Sequence, residues 1–155
     1  MNGAYAYSSS GKLLFKGGCS GFQAVGDLEQ DGTRQLVCVA GGVVKVFSHT
    51  GVLLHQLPVP ADPNRGRASH GGGGAPTLGD ADGDGKLEIA VAGEDFYALF
   101  DYDKVNGLVV KWKSVTQDAS SRRTGSSVFD FNGDGEIEVV YNEERFLRIY
   151  DGKTG

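Results

Sequence analysis

The chain has 155 residues, a formal net charge of −5, 25 glycines, one methionine and two cysteines. That length buries one ordinary core, and so many glycines with so little methionine point to tight turns and exclude a helical bundle. No stretch is long and apolar enough to span a membrane, and no basic patch with interleaved aromatics is present for nucleic acid; Arg122-Arg123 is a solvated loop.

The N-terminus, Met1-Asn-Gly, lacks a basic-then-apolar leader and begins in mid-pattern, as a trimmed chain would. Ala6-Tyr7-Ser-Ser-Ser-Gly11-Lys-Leu-Leu14 lines up with Val46-Phe47-Ser-His-Thr-Gly51-Val-Leu-Leu54 at a constant offset of 40, so residues 1–18 read as the last two strands of a structural unit. The unit at 19–60 is complete. It has a short strand ending near Val25, the loop Asp27-Leu-Glu29-Gln-Asp31-Gly32-Thr-Arg-Gln35, a strand carrying Leu36 and Cys38, a third strand at Val43-Val-Lys-Val-Phe47 and a fourth at Val52–Leu57. A hairpin centred near Asp31 places Cys38 opposite about Ala24 and leaves Cys19 several residues further out. Two free, partly buried thiols are the expectation, with a Cys19–Cys38 bridge the alternative.

Residues 59–71 form a polar connection. His70 and the run Gly71–Gly74 resemble a phosphate cradle only superficially, because the Lys-Ser/Thr end and the following helix are missing. The unit at 72–118 repeats the pattern with Leu78, the loop Asp80-Ala-Asp82-Gly-Asp84-Gly85-Lys-Leu-Glu88, Ile89 and Val91, then Phe96–Phe100 and Leu108–Trp112. After a second connection at 115–124, the stretch 124–155 carries Val128, the loop Asp130-Phe-Asn132-Gly-Asp134-Gly135-Glu-Ile-Glu138, Val139, Tyr141 and Phe146–Tyr150, and stops at the turn where a fourth strand is due. No helix is predicted.

The three loops begin at residues 27, 80 and 130, so the repeat is 53 and then 50 residues long. Four antiparallel strands per repeat of that length are the pattern of a propeller blade. The expected fold is all-β: one domain, 1–155, holding about three blades' worth of an incomplete β-propeller. A closed propeller normally needs at least four blades. The chain is therefore expected to belong to a larger propeller or to self-associate, the 12–15 strand of one copy pairing with the 146–150 strand of the next. Apolar residues such as Leu36, Ile89 and Val139 are expected to lie exposed.

More than half of the chain's 20 acidic residues lie in these loops. Carboxylates packed so closely repel unless a cation sits among them. Oxygen side chains at loop positions 1, 3, 5 and 9, with glycine at 6, are what a hard cation such as Ca²⁺ requires. The candidate ligands are Asp80, Asp82, Asp84 and Glu88 with the carbonyl of Lys86; Asp130, Asn132, Asp134 and Glu138 with the carbonyl of Glu136; and, more weakly, Asp27, Glu29 and Asp31, whose loop has neutral Gln35 at position 9. Two firm sites and a third weak or absent one are expected. Mg²⁺ fits less well because it prefers few protein ligands and retained waters. Position 12 is Cys38, Val91 or Tyr141, so the bidentate glutamate of helix–loop–helix calcium sites is missing and the flanks read as strands. The metal would be structural, stapling a hairpin.

His49, His55 and His70 have no metal spacing or acid–base partner nearby, and Phe96, Tyr97 and Trp112 occupy strand positions suited to packing between blades. No catalytic constellation is visible.

Gly125-Ser-Ser-Val128-Phe-Asp130-Phe-Asn132-Gly-Asp134-Gly135-Glu-Ile-Glu138 resembles the FG-GAP or VCBS-type repeat of integrin-α-like, calcium-binding β-propellers. Asp80 to Val91 is similar, and Ala24 to Val39 is loosely so; Gly74-Ala-Pro76 precedes its loop, where the family places this tripeptide after the loop strand. The resemblance implies an extracellular or cell-surface module for adhesion, carbohydrate or protein contact, or scaffolding. The alternative it leaves open is the propeller portion of a polysaccharide lyase of the rhamnogalacturonan type. Fold alone does not choose between them.

Overall fold

The structure is a computed structural model that describes residues 4–65, 72–118, 120–121 and 123–155; His70 and Arg122 lie outside them. Among the described residues, thirteen strands form four antiparallel sheets. β1 (Ala4–Tyr7) and β2 (Leu13–Gly17) make a two-stranded sheet. β3 (Phe22–Gly26), β4 (Gln35–Ala40), β5 (Val43–Phe47) and β6 (Leu53–Pro58) make a four-stranded meander. β7 (Thr77–Gly79), β8 (Glu88–Ala92), β9 (Phe96–Asp103) and β10 (Gly107–Val115) repeat it, and β11 (Ser126–Phe129), β12 (Glu138–Asn142) and β13 (Leu147–Asp151) form a three-stranded version. The one helical element among the described residues is a 3₁₀ turn at Pro63–Arg65, where proline presets the first φ.

The sheets stack. The first strands, β3, β7 and β11, touch in succession, and the outer strands β6 and β10 touch as well. Side chains alternate across each strand, so one sheet feeds two cores. Ile89, Val91, Ala98 and Phe100 pack with Val37, Val39, Val44 and Val46 of the preceding sheet. From the opposite face, Ala90, Ala92, Tyr97, Leu99 and Trp112 pack with Val139, Tyr141 and Tyr150 of the next. The middle sheet is thus covered on both sides, which explains why β8 reads Glu-Ile-Ala-Val-Ala without polar alternation.

Two expectations are corrected here. Ile89 and Val139 are fully buried because the preceding sheet in the stack supplies the cover that an isolated blade lacks, and Leu36 is half-buried against the cluster of Cys19, Cys38 and Phe47. Exposed apolar residues occur in every sheet, and two of them mark the outer face of the last sheet. Leu147 and Ile149 are 64% and 44% exposed, whereas Tyr97 and Leu99, one repeat earlier, are buried.

The second correction concerns the cysteines, which form a Cys19–Cys38 disulfide with Cα atoms 6.4 Å apart. Cys38 pairs with Gln23, and Ala24 with Val37, one residue away from the expected register. The chain before β3 also folds back over β4. A Cβ on Gly21 would lie 1.8 Å from the Val39 carbonyl oxygen, so only glycine permits that approach. Both sulfurs are buried beside Phe47. Closing a loop with a sequence separation of 19 should contribute about 3 kcal/mol by restricting the unfolded chain. Reduction with dithiothreitol, or Cys38→Ser, is expected to lower the urea midpoint accordingly; an unchanged midpoint would refute this.

Candidate metal centre

Each acidic loop joins the first strand of a sheet to the second, and all three fold by one set of side-chain-to-backbone hydrogen bonds. The position-1 aspartate accepts from the position-6 glycine amide: Gly32 to Asp27, Gly85 to Asp80 and Gly135 to Asp130, each at 2.9 Å. The position-5 aspartate accepts from the position-7 amide: Thr33 to Asp31, Lys86 to Asp84 and Glu136 to Asp134, each at 2.8 Å. The position-9 side chain accepts from the position-2 amide: Leu28 to Gln35, Ala81 to Glu88 and Phe131 to Glu138. These bonds replace water at a turn too tight to satisfy its own amides.

Positions 4 and 6 lie in the left-handed region in every loop. Gly83 and Gly85 have φ of 75° and 90°, and Gly133 and Gly135 have 79° and 89°. In the first loop position 4 is Gln30, at φ 55°. A side chain there costs about 1–2 kcal/mol, and Gln30 offsets it by donating through Nε2 to the carbonyl of Gly85 in the neighbouring loop.

The second loop gathers the most concentrated ligand set. Among the described residues, Asp80, Asp82 and Glu88 are the acidic group whose ligand atoms all lie within 4.8 Å of one another. Two of its oxygens, Asp80 Oδ1 and Glu88 Oε1, are buried without a hydrogen-bond partner. Unpaired buried carboxylate oxygens are costly, and a cation removes the cost. Burial, reinforced by the charge of Asp82 and opposed by the Ala81 amide, pushes the Glu88 carboxyl up to about 7. Asp84 is outside the cluster, its second oxygen 3.9 Å from Lys86 Nζ.

The third loop is quieter. Asn132 Oδ1 accepts from the Asp134 amide, and its Nδ2 donates at 3.5 Å to Glu138 Oε1, so an amide neutralises part of the charge that Asp82 brings to the second loop. The first loop is already satisfied by protein. Lys104, from the turn between β9 and β10, lies 2.5 Å from Glu29 Oε2 and 3.8 Å from Asp31 Oδ2, and the Tyr102 hydroxyl donates to Glu29 Oε1 at 3.2 Å. Gln35 spends its only side-chain oxygen on the Leu28 amide.

Two lysines that belong to no acidic motif, and that the repeat pattern therefore does not mark, face these loops: Lys104, and Lys111 of β10, which pairs with Asp82 Oδ2. Burial works against the charged form of Lys111. The hydrogen bond and charge of Asp82, helped by Glu88 and Asp101, outweigh it and hold the ammonium firmly protonated.

His49 lies in an exposed turn. His55 packs edge-on against Tyr102 with its Nε2 3.3 Å from the Lys104 carbonyl oxygen, a structural position. Tyr97 and Trp112 stack at 6.0 Å inside the second core, and the Trp112 indole donates to the Gly152 carbonyl at 2.8 Å.

The loop, its flanking strands and their return at a fixed interval describe a known repeat. Residues 80–141 match the FG-GAP-like repeat. That FG-GAP-like segment spans the middle sheet from its acidic loop through the loop and second strand of the last sheet. No curated protein matches the chain. The fold is similar to that of the V. cholerae biofilm matrix protein Bap1 in its crystal structure, with a TM-score of 0.65 and 24% sequence identity. The match covers 99% of this chain and 24% of that protein, so this chain spans about a quarter of its length. Among the described residues no helix is long and apolar enough to cross a membrane.

Proposed function

We propose that the chain is a calcium-stapled segment of propeller blades, a non-catalytic binding or scaffold module of an extracellular or surface protein. The observation that carries this reading is the pair of buried, unpartnered oxygens on Asp80 and Glu88, aimed into a cluster that Asp82 completes. Calcium takes six to eight oxygens without strict geometry and suits such a loop. The second loop would supply Asp80, Asp82, Asp84, Glu88 and the Lys86 carbonyl. The third would supply Asp130, Asn132, Asp134, Glu138 and the Glu136 carbonyl. The first loop, whose candidates are Asp27, Glu29 and Asp31, would remain metal-free, the Lys104 ammonium beside Glu29 and Asp31 serving as the cation.

The buried disulfide accords with an oxidising compartment. Similarity of fold to a biofilm matrix protein accords with a scaffold role. The partner would be a protein or carbohydrate ligand, or further blades meeting the exposed outer face of the last sheet. Calorimetric titration of the chelator-stripped protein tests the reading: two bound Ca²⁺ are expected, and neither heat nor a shift in melting temperature would end it.

Glu88→Gln is expected to reduce the count to one. The same variant reports on pH. In the metal-free protein the Glu88 carboxyl titrates near 7, above its ordinary value of 4.5. Its ionisation therefore opposes folding, and this contribution to stability is full below about 4.5 and lost as pH rises towards 7. In chelator, the wild type should lose stability across that window relative to Glu88→Gln. Parallel pH–stability curves for the two proteins would contradict the assignment.

A further inference from the structure

Lys111 occupies a position that the fold sets apart. In β10 the pairing with β9 slips between Val110 and Trp112, so Lys111 is the extra residue of a β-bulge. The same slip makes Leu54 the extra residue in β6 and Leu14 the extra residue in β2. A bulge re-aims its side chain out of the regular alternation. Leu14 and Leu54 are 60% and 37% exposed and make no polar contact. The second sheet has a lysine in that column, and the bulge directs it to Asp82 Oδ2, with its side chain only 25% exposed. Asp82 is the cluster member whose other oxygen already accepts from the Asp84 amide. Glu88 and Asp101 are the other carboxylates acting on the ammonium.

We propose that Lys111 is a resident counter-cation of the second loop, competing with calcium for Asp82 and thereby setting that loop's calcium affinity. The inference rests on the calcium reading of this loop. In the metal-free protein the ammonium offsets part of the repulsion among Asp80, Asp82 and Glu88. When a divalent ion is bound, the same charge opposes it at close range. The third loop has neutral Asn132 at this position, and its lysine, Lys153, pairs with the exposed Glu136 side chain at 2.7 Å and not with the position-3 ligand, so the two loops would bind calcium with different affinities.

The test is calorimetric titration of the chelator-stripped protein with CaCl₂, for the wild type, Lys111→Met, Lys111→Arg and Glu88→Gln. The site lost in Glu88→Gln identifies the second loop. Lys111→Met, which keeps the aliphatic stem, is expected to tighten that site by about tenfold or more and leave the other unchanged. Lys111→Arg should stay near wild type. In chelator, Lys111→Met should melt below wild type, the signature of a lost counter-charge. Two sites with unchanged affinity in Lys111→Met would overturn the inference while leaving the calcium reading intact. No binding by either the wild type or Lys111→Met would overturn both.

Discussion

Stripping calcium from the protein is expected to lower its melting temperature by about 10–20 °C. A ligand bound only by the native state adds about 2.7 kcal/mol per site at a hundredfold excess over Kd. Two such sites would add about 5 kcal/mol, and for a chain of this size each kcal/mol moves the midpoint by about 2–4 °C. The effect would be large because a metal bound there would act where the fold is least able to help itself. Asp80 Oδ1 and Glu88 Oε1 are sealed from water with no donor to face, and the loop that holds them joins the first two strands of the middle sheet, whose faces support both cores. Asp84→Ala is expected to reproduce most of the loss from the second site. Scanning calorimetry with excess CaCl₂ and with chelator checks both; superimposed melting curves would make any bound metal incidental.

Glu143→Ala is expected to cost about 1.5–3 kcal/mol, the range for hydrogen bonds to a charged group, because the Arg148 left behind is partly exposed to water. The Glu143 side chain is fully buried, and its Oε1 accepts from Arg148 Nη2 at 2.7 Å. Its other oxygen accepts from the Thr116 hydroxyl at 2.6 Å and the Gln117 amide at 2.7 Å. The carboxylate therefore ties the end of the middle sheet to the β12–β13 turn, at the end of the stack away from the acidic loops. Burial alone would raise its pKa; the bonds from Arg148, Thr116 and Gln117 outweigh this and hold it below the ordinary value. A depressed carboxylate contributes stability above its unfolded pKa, near 4.5, and that contribution is lost as pH falls through the folded value. The wild type should thus show an acid-labile component below about pH 4.5 that Glu143→Ala lacks. Urea unfolding at pH 7 and pH 4 measures both, and a loss below 1 kcal/mol at pH 7 would show that the pair contributes little.

The repeat was legible because each unit carries its own local chemistry. Aspartates at positions 1 and 5, a glycine at 6 and an oxygen acceptor at 9 build the same turn three times, whatever surrounds it. The offset of 40 between the first two Ser-to-Gly turns was equally local: Gly11 donates to the Ser8 carbonyl as Gly51 donates to that of Ser48, both at 2.9 Å. Strand periodicity located the elements, since side chains alternate at period 2 wherever one face is buried.

What sequence could not reveal depended on contacts between repeats and on the register inside one. No pattern within one unit says that Ile89 and Val139 are covered, because the cover comes from the neighbouring sheet. The cysteine pairing turned on a one-residue register and on Gly21 lying against the Val39 carbonyl, a close approach that spacing does not encode. The distinction among the loops was decided the same way. By sequence alone the first loop is a degraded copy of the others, with Glu29 and Gln35 in place of aspartate and glutamate. Only the stacked sheets bring Lys104 to Glu29 and aim Lys111, at a bulge, at Asp82. A chain fixes where its ligands stand along the backbone, through hydrogen bonds spanning a few residues. Which charges those ligands face is set by elements some 30 to 75 residues away, and folding alone brings them within reach.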